Sequence, residues 1–184
     1  NAHDYVYSMG AINFTGDEPV ILTCDGPSLG GFVCHAVVAE AEMWKVGQVK
    51  PGDSVKFIPI TYDSARELKV KQDESLENFA GQFPLALADY KTAPEDPVLY
   101  KLEQSSKNPK VVYRQAGDRY ILVEYGNDNM DLNLSYRVNR LITMVENHKT
   151  VGIVEMSQGV RSVLIEYDGS KIHQKKLLEI LLAY

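Results

Sequence analysis

A nine-residue pattern occurs twice in this chain. Gly117-Asp118-Arg119-Tyr120-Ile121-Leu122-Val123-Glu124-Tyr125 aligns with Gly159-Val160-Arg161-Ser162-Val163-Leu164-Ile165-Glu166-Tyr167. Gly, Arg, Leu, Glu and Tyr match in place, and Ile121/Val163 and Val123/Ile165 are like for like. A strand-like run precedes each copy, Val111 to Gln115 and Val151 to Met156. A helical pattern follows each copy. After the first, Leu134, Val138, Leu141, Ile142 and Val145 recur at helical spacing. After the second, Lys171 to Tyr184 carries Ile172, Leu177, Leu178, Ile180 and Leu181. The unit is β-β-α, used twice. Each unit has one apolar strand face to bury, so two of them predict one sheet with helices on one face, an α+β layer.

The rest of the chain reads differently. Up to about Tyr62 it is β-rich, with strand-like runs at Val20 to Thr23, Phe32 to Val38 and Asp53 to Ile60. Pro59 puts the last of these at an edge or ends it. Ala39 to Gln48, with Met43, Trp44 and Gly47, predicts a short helix. Thr61 to Phe79 is charged, lacks Gly and Pro, and predicts a longer helix that Asp63, Ser64 and Arg66 begin. Gly81 to Pro109 holds four of the eight prolines and reads as a connector over the surface. The expected division is a β-rich part at 1–80, a connector at 81–109 and an α+β part at 110–184.

At 184 residues the chain can bury a sizeable core. Its net charge of -6 argues against a nucleic-acid surface, which needs clustered Lys and Arg. No apolar run approaches membrane-spanning length, and no signal-peptide pattern opens the chain. Cys24 and Cys34 lie in strand-like sequence, which fits a reducing compartment, the cytoplasm, better than a disulfide framework. The four histidines and two cysteines show no metal-ligand spacing. The chain begins in structured-looking sequence without Met and stops inside a helical pattern. It is expected to be a piece of a longer polypeptide, with part of any site elsewhere.

The run Asp25-Gly26-Pro27-Ser28-Leu29-Gly30-Gly31-Phe32-Val33-Cys34 follows the apolar segment Val20 to Cys24. Glycine lets a ligand approach the main chain closely. Asp25, at a strand end, is placed to accept a proton or orient a polar substrate, or simply to cap an Asx turn. Ser28 can donate to a ligand or bond its own backbone. Gly30 and Gly31 can offer N–H groups to an oxygen. Neither GxGxxG nor GK[ST] is present, so the loop matches no dinucleotide or P-loop fingerprint. Strand alternation places Arg119 and Arg161 on the face of Ile121, Val123 and Tyr125, or of Val163, Ile165 and Tyr167. Each arginine can hold a carboxylate there, or make a surface ion pair. Glu124 and Glu166, being duplicated, suit structure better than catalysis. His3 beside Asp4 is a candidate acid–base pair or an ordinary end residue, and His35 reads as a packed strand side chain.

These stretches together resemble a known family. The residues are Asn1-Ala2-His3-Asp4-Tyr5, Gly10 to Asp17, the Asp25 to Cys34 loop, and Glu42 to Gln48 through Lys50-Pro51-Gly52-Asp53. They are similar to the carboxyltransferase family that includes the carboxyltransferase domain of urea carboxylase and one subunit of bacterial 5-oxoprolinase. Arg114 to Arg119 and Glu155 to Ser162 resemble its companion family, first associated with a sporulation kinase inhibitor, which includes the other 5-oxoprolinase subunit. The first family precedes the second here, which is similar to the arrangement in the fused urea carboxylase.

The resemblance implies a cyclophilin-like β-barrel part joined to small α+β parts. It implies transfer of a carboxyl group from N-carboxybiotin to urea, giving allophanate. Biotin would arrive on a carrier domain, and ATP, bicarbonate and Mg²⁺ would belong to a separate biotin carboxylase domain. No metal is implied in this part. The reaction needs a base near a weakly nucleophilic urea nitrogen and donors to a biotin oxygen that gains charge. The resemblance points to Asp25 as the catalytic residue. It points to His3, Asp4, Gly26, Ser28, Leu29, Gly30 and Gly31 as contacts for urea and biotin; Arg119 and Arg161 are candidate anion contacts on the strand pattern above. The alternatives are a 5-oxoprolinase component and a kinase-inhibitor-like regulatory module.

Overall fold

The computed structural model describes residues 5–24, 29–31, 33–79, 96–127 and 129–184. The first elements are β1 (Tyr5–Val6), β2 (Ala11–Thr15), β3 (Glu18–Ile21), β4 (Leu29–Gly30) and β5 (Cys34–Val37). A 3-10 turn (Glu40–Glu42), α1 (Met43–Val46) and α2 (Tyr62–Glu77) follow. The last elements are β6 (Val98–Leu102), β7 (Val111–Gln115), β8 (Tyr120–Tyr125), α3 (Leu132–His148), β9 (Ile153–Gln158), β10 (Ser162–Tyr167) and α4 (Gln174–Leu182). The architecture is α+β, with antiparallel sheets in both parts.

The repeat folds as its pattern predicts. β7-β8-α3 and β9-β10-α4 build one antiparallel sheet of order β6-β7-β8-β10-β9. Leu122 lies opposite Leu164, its own counterpart, so the two copies meet about a local pseudo-two-fold. Ile121, Val123, Val163 and Ile165 are fully buried on one face. Val138, Leu141 and Val145 of α3 and Leu177 and Leu181 of α4 close over them as a single core. Asp131 caps α3, its Oδ1 accepting the Asn133 N–H at 2.9 Å, which satisfies a donor that the first helical turn leaves unpaired.

Several elements depart from the sequence reading. β6 lies inside the stretch expected to be a connector: Val98–Leu102 pairs along β7 as an edge strand. Its residues are mostly half-exposed or exposed, so no apolar alternation announced it. β2, the centre of the first sheet (order β3-β2-β5), was likewise not singled out. β3 carries Pro19 and is an edge strand, where a missing N–H costs little. Residues 53–60 form no strand, and Val55, Phe57 and Ile58 are exposed. α2 starts at Tyr62 because the Thr61 side chain caps it, accepting the Ser64 N–H at 3.3 Å. Among the described residues the first part has a three-stranded sheet and the β1–β4 pair, and no closed barrel. Cys24 and Cys34 are both unbridged. Among the described residues no helix is long and apolar enough to cross a membrane.

Candidate functional site

The second face of the five-stranded sheet carries Leu122, Glu124 and Leu164. It forms one wall of a cleft of about 1430 Å³, and the first part forms the opposite wall through Ile12, Val37 and Ile58. The hairpin between β7 and β8 holds the two parts at their joint. Asp118 accepts the Glu40 N–H on both carboxylate oxygens, at 3.1 and 3.2 Å. Burial pushes the Asp118 carboxyl above its ordinary pKa. Gly117 has a φ of +78°, and a Cβ there would stand 2.8 Å from Val37 Cγ1. Glycine is therefore required twice at this point, by conformation and by close approach. α2 completes the joint: Arg66 Nε donates to the Gly169 carbonyl at 3.4 Å, and Tyr62 Oη accepts the Gln174 N–H at 3.4 Å. Beside them Tyr167 Oη donates to the Asp118 carbonyl at 3.1 Å.

The repeated arginines and glutamates pair across copies. Arg119 of the first copy bonds Glu166 of the second, and Arg161 of the second lies 3.5 Å from Glu124 of the first. Glu40 Oε1 also approaches Arg119, at 3.7 Å. Burial alone would lower the Arg119 guanidinium, but Glu40, Tyr120 and Glu166 outweigh it and hold its pKa above the usual value. The expected placement of Arg119 and Arg161 at the rim of the helix-packed face is therefore corrected. Both precede the first residue of their strand, so strand alternation does not govern them. They reach the opposite face, where intramolecular carboxylates occupy them.

Of the other expected site residues, His3, Asp4, Asp25, Gly26 and Ser28 lie outside the described residues. Leu29 and Gly30 form β4, antiparallel to β1, with Tyr5 opposite Gly30 and Val6 opposite Leu29. A Cβ on Gly30 would meet the Tyr7 hydroxyl at 2.7 Å, so a side chain is excluded there by packing. Gly31 is an exposed bend. The pairing brings the segment after His3-Asp4 beside the segment that ends the glycine loop. Val6, Tyr7 and Ser8 from the one, and Val33 and Cys34 from the other, line the cleft.

Sequence reasoning assigned Glu124 to structure and did not single out Arg114, and both line the cleft. Glu124 is 6% exposed and accepts from Arg114 Nε at 2.5 Å as well as facing Arg161. Arg114 lines the cleft from β7. The available signal was that Arg114 has no arginine counterpart in the second copy. Among the described residues no group of His, Cys, Asp and Glu is placed to hold a metal.

Comparison with known proteins places the whole length. The family described as carboxyltransferase domain, subdomain A and B, matches residues 1–59. The family described as carboxyltransferase domain, subdomain C and D, matches residues 111–184. All of the chain aligns with the urea amidolyase of Lachancea kluyveri at 67% identity and with that of Saccharomyces cerevisiae at 62%. The chain spans about a tenth (10%) of the length of each of those relatives. The crystal structure of the Kluyveromyces lactis urea carboxylase superposes with a TM-score of 0.92 at 68% identity, over 100% of this chain and 16% of that one. The chain belongs to the carboxyltransferase-domain family, carrying subdomain A and B sequence followed by subdomain C and D sequence in one polypeptide.

Proposed function

We propose that this chain is the middle of a urea carboxylase carboxyltransferase domain, helping to move a carboxyl group onto a nitrogen of urea to give allophanate. The observation that carries this reading is the order of subdomains, A and B before C and D, shared end to end with proteins named urea amidolyase. Biotin on a carrier domain of the same polypeptide supplies the carboxyl group. ATP, bicarbonate and Mg²⁺ act at its separate biotin carboxylase domain. The cleft suits a flat, neutral ureido ring, because its walls are mainly apolar, Val, Ile, Ala and Pro among them, with donors such as Ser8 and Arg114.

In this reading Asp25 accepts a proton from the urea nitrogen. The backbone N–H groups of Gly26, Ser28, Leu29, Gly30 and Gly31 stabilise charge on an oxygen, and His3 and Asp4 serve as further contacts for urea or biotin. The support is that the segments adjoining both groups line the cleft. Residues 1–80 then belong to the first half, 81–109 connect and lend β6 to the neighbouring sheet, and 110–184 begin the second half. The first part is a piece of a cyclophilin-like barrel that other strands of the longer polypeptide complete. The exposed Val55, Phe57 and Ile58 support that completion. The unbridged cysteines fit a cytoplasmic setting.

The test uses the intact polypeptide with ATP and labelled bicarbonate. Urea should stimulate ATP hydrolysis and label should enter allophanate. Stimulation by 5-oxoproline instead would replace this reading with the ring-opening one.

A further inference from the structure

The two copies of the repeat serve as each other's control. Arg119–Glu166 and Arg161–Glu124 are the pairs that the fold uses twice. Arg114 stands outside that scheme. It lies opposite Leu122, whereas the residue opposite Leu164 in the second copy is Ser157. A register shift in β9 produces this correspondence and turns Met156 onto the core instead. Since Glu166 stands without an arginine at that position, pairing in the fold does not call for one beside Glu124.

What Arg114 offers is unspent. Its Nε donates to Glu124 Oε2, and among the described residues it makes no other hydrogen bond. A guanidinium has five N–H donors, so its terminal nitrogens remain available. The side chain is 40% exposed and lines the cleft. Arg114 and Arg161 share Glu124, so that carboxylate is not spent on Arg114 alone. Glu42, also on the cleft wall, is matched by Lys45. Glu124 accepts from Nε and fixes the guanidinium plane, which prepares it for a second, bidentate carboxylate.

We propose that Arg114 is an anion-binding side chain of the cleft and holds the carboxylate of a small ligand that joins an amide to a carboxylate. This rests on the proposed carboxyl transfer to urea, whose product has that chemistry. Urea and an uncarboxylated ureido ring carry no charge, so Arg114 discriminates the carboxylated species from the uncarboxylated ones.

The test is calorimetric titration of the intact polypeptide with malonamate, which joins an amide to a carboxylate, and with neutral malonamide. The wild type should prefer malonamate by about tenfold or more, the order set by one charge-assisted hydrogen-bond pair. Arg114→Met should lose that preference with its melting temperature unchanged, and Arg114→Lys should keep part of it. If Arg114→Met does not fold, Arg114→Gln takes its place in the comparison. An unchanged preference in the variants, or no preference in a wild type that carboxylates urea, would overturn the inference and leave the function standing. A polypeptide that does not carboxylate urea would instead remove the function reading.

Discussion

Glu124→Gln and Glu166→Gln are the same change at equivalent points of the repeat, and the structure predicts unequal costs. At Glu124 both side chains of the pair with Arg161 are 7% exposed. Neutralising the glutamate removes one buried countercharge from two guanidiniums at once, those of Arg161 and Arg114, which costs about 3 kcal/mol. At Glu166 the partner Arg119 is 28% exposed and keeps Glu40 at 3.7 Å. Solvent screening and the second carboxylate reduce the loss there to about 1 kcal/mol. The difference of about 2 kcal/mol corresponds to about thirtyfold in an opening equilibrium. Hydrogen exchange on β8 and β10 peptides in the intact polypeptide reads local opening directly. Protection should fall about 150-fold in Glu124→Gln and about fivefold in Glu166→Gln. Replacing Glu124 and Arg161 together by Leu and Met should restore part of the protection, because the desolvation cost of that pair disappears with its charges. Equal losses in the two single variants, or a larger loss at Glu166, would refute the account of which pair is buried.

Two further outcomes concern the joint between the parts. Gly117→Ala forces a side chain into a positive φ and against Val37, at a cost of about 2–4 kcal/mol. Exchange in β5 and the β7–β8 hairpin should rise together, and a rise confined to the hairpin would contradict the packing role. Asp118 has a folded pKa raised by burial above its unfolded value of 3.8, so its proton favours the folded joint. Stability at Glu40 is then greatest in acid and declines as pH rises from 3.8 through the folded pKa. Asp118→Asn keeps an acceptor for the Glu40 N–H and should flatten this decline in pH-corrected exchange, whereas an equal slope in both proteins would assign it to another group.

The second part was legible because its signals are local. Alternation in Ile121/Val123 and Val163/Ile165, and helical spacing in Val138, Leu141 and Val145, fix both which element forms and which face it buries. What the sequence did not disclose depends on partners far along the chain. β6 is a strand because β7 offers it an edge, not because Val98–Leu102 alternates. The direction of Arg119 and Arg161 is set by glutamates in the opposite copy. The shift in β9 that puts Ser157 in the place of Arg114 leaves no trace in the aligned motifs. In the first part the glycine loop was visible as a break between apolar runs. The packing reason for Gly30, the Tyr7 hydroxyl, required the fold.

The central claim concerns Asp25. In the intact polypeptide carrying Asp25→Ala, the two half-reactions are assayed separately: bicarbonate-dependent ATP hydrolysis with free biotin, and transfer of label from carboxylated carrier to urea. The account predicts wild-type hydrolysis and a loss of transfer by about a hundredfold or more, the order associated with a general base. Transfer to urea at the wild-type rate would contradict it.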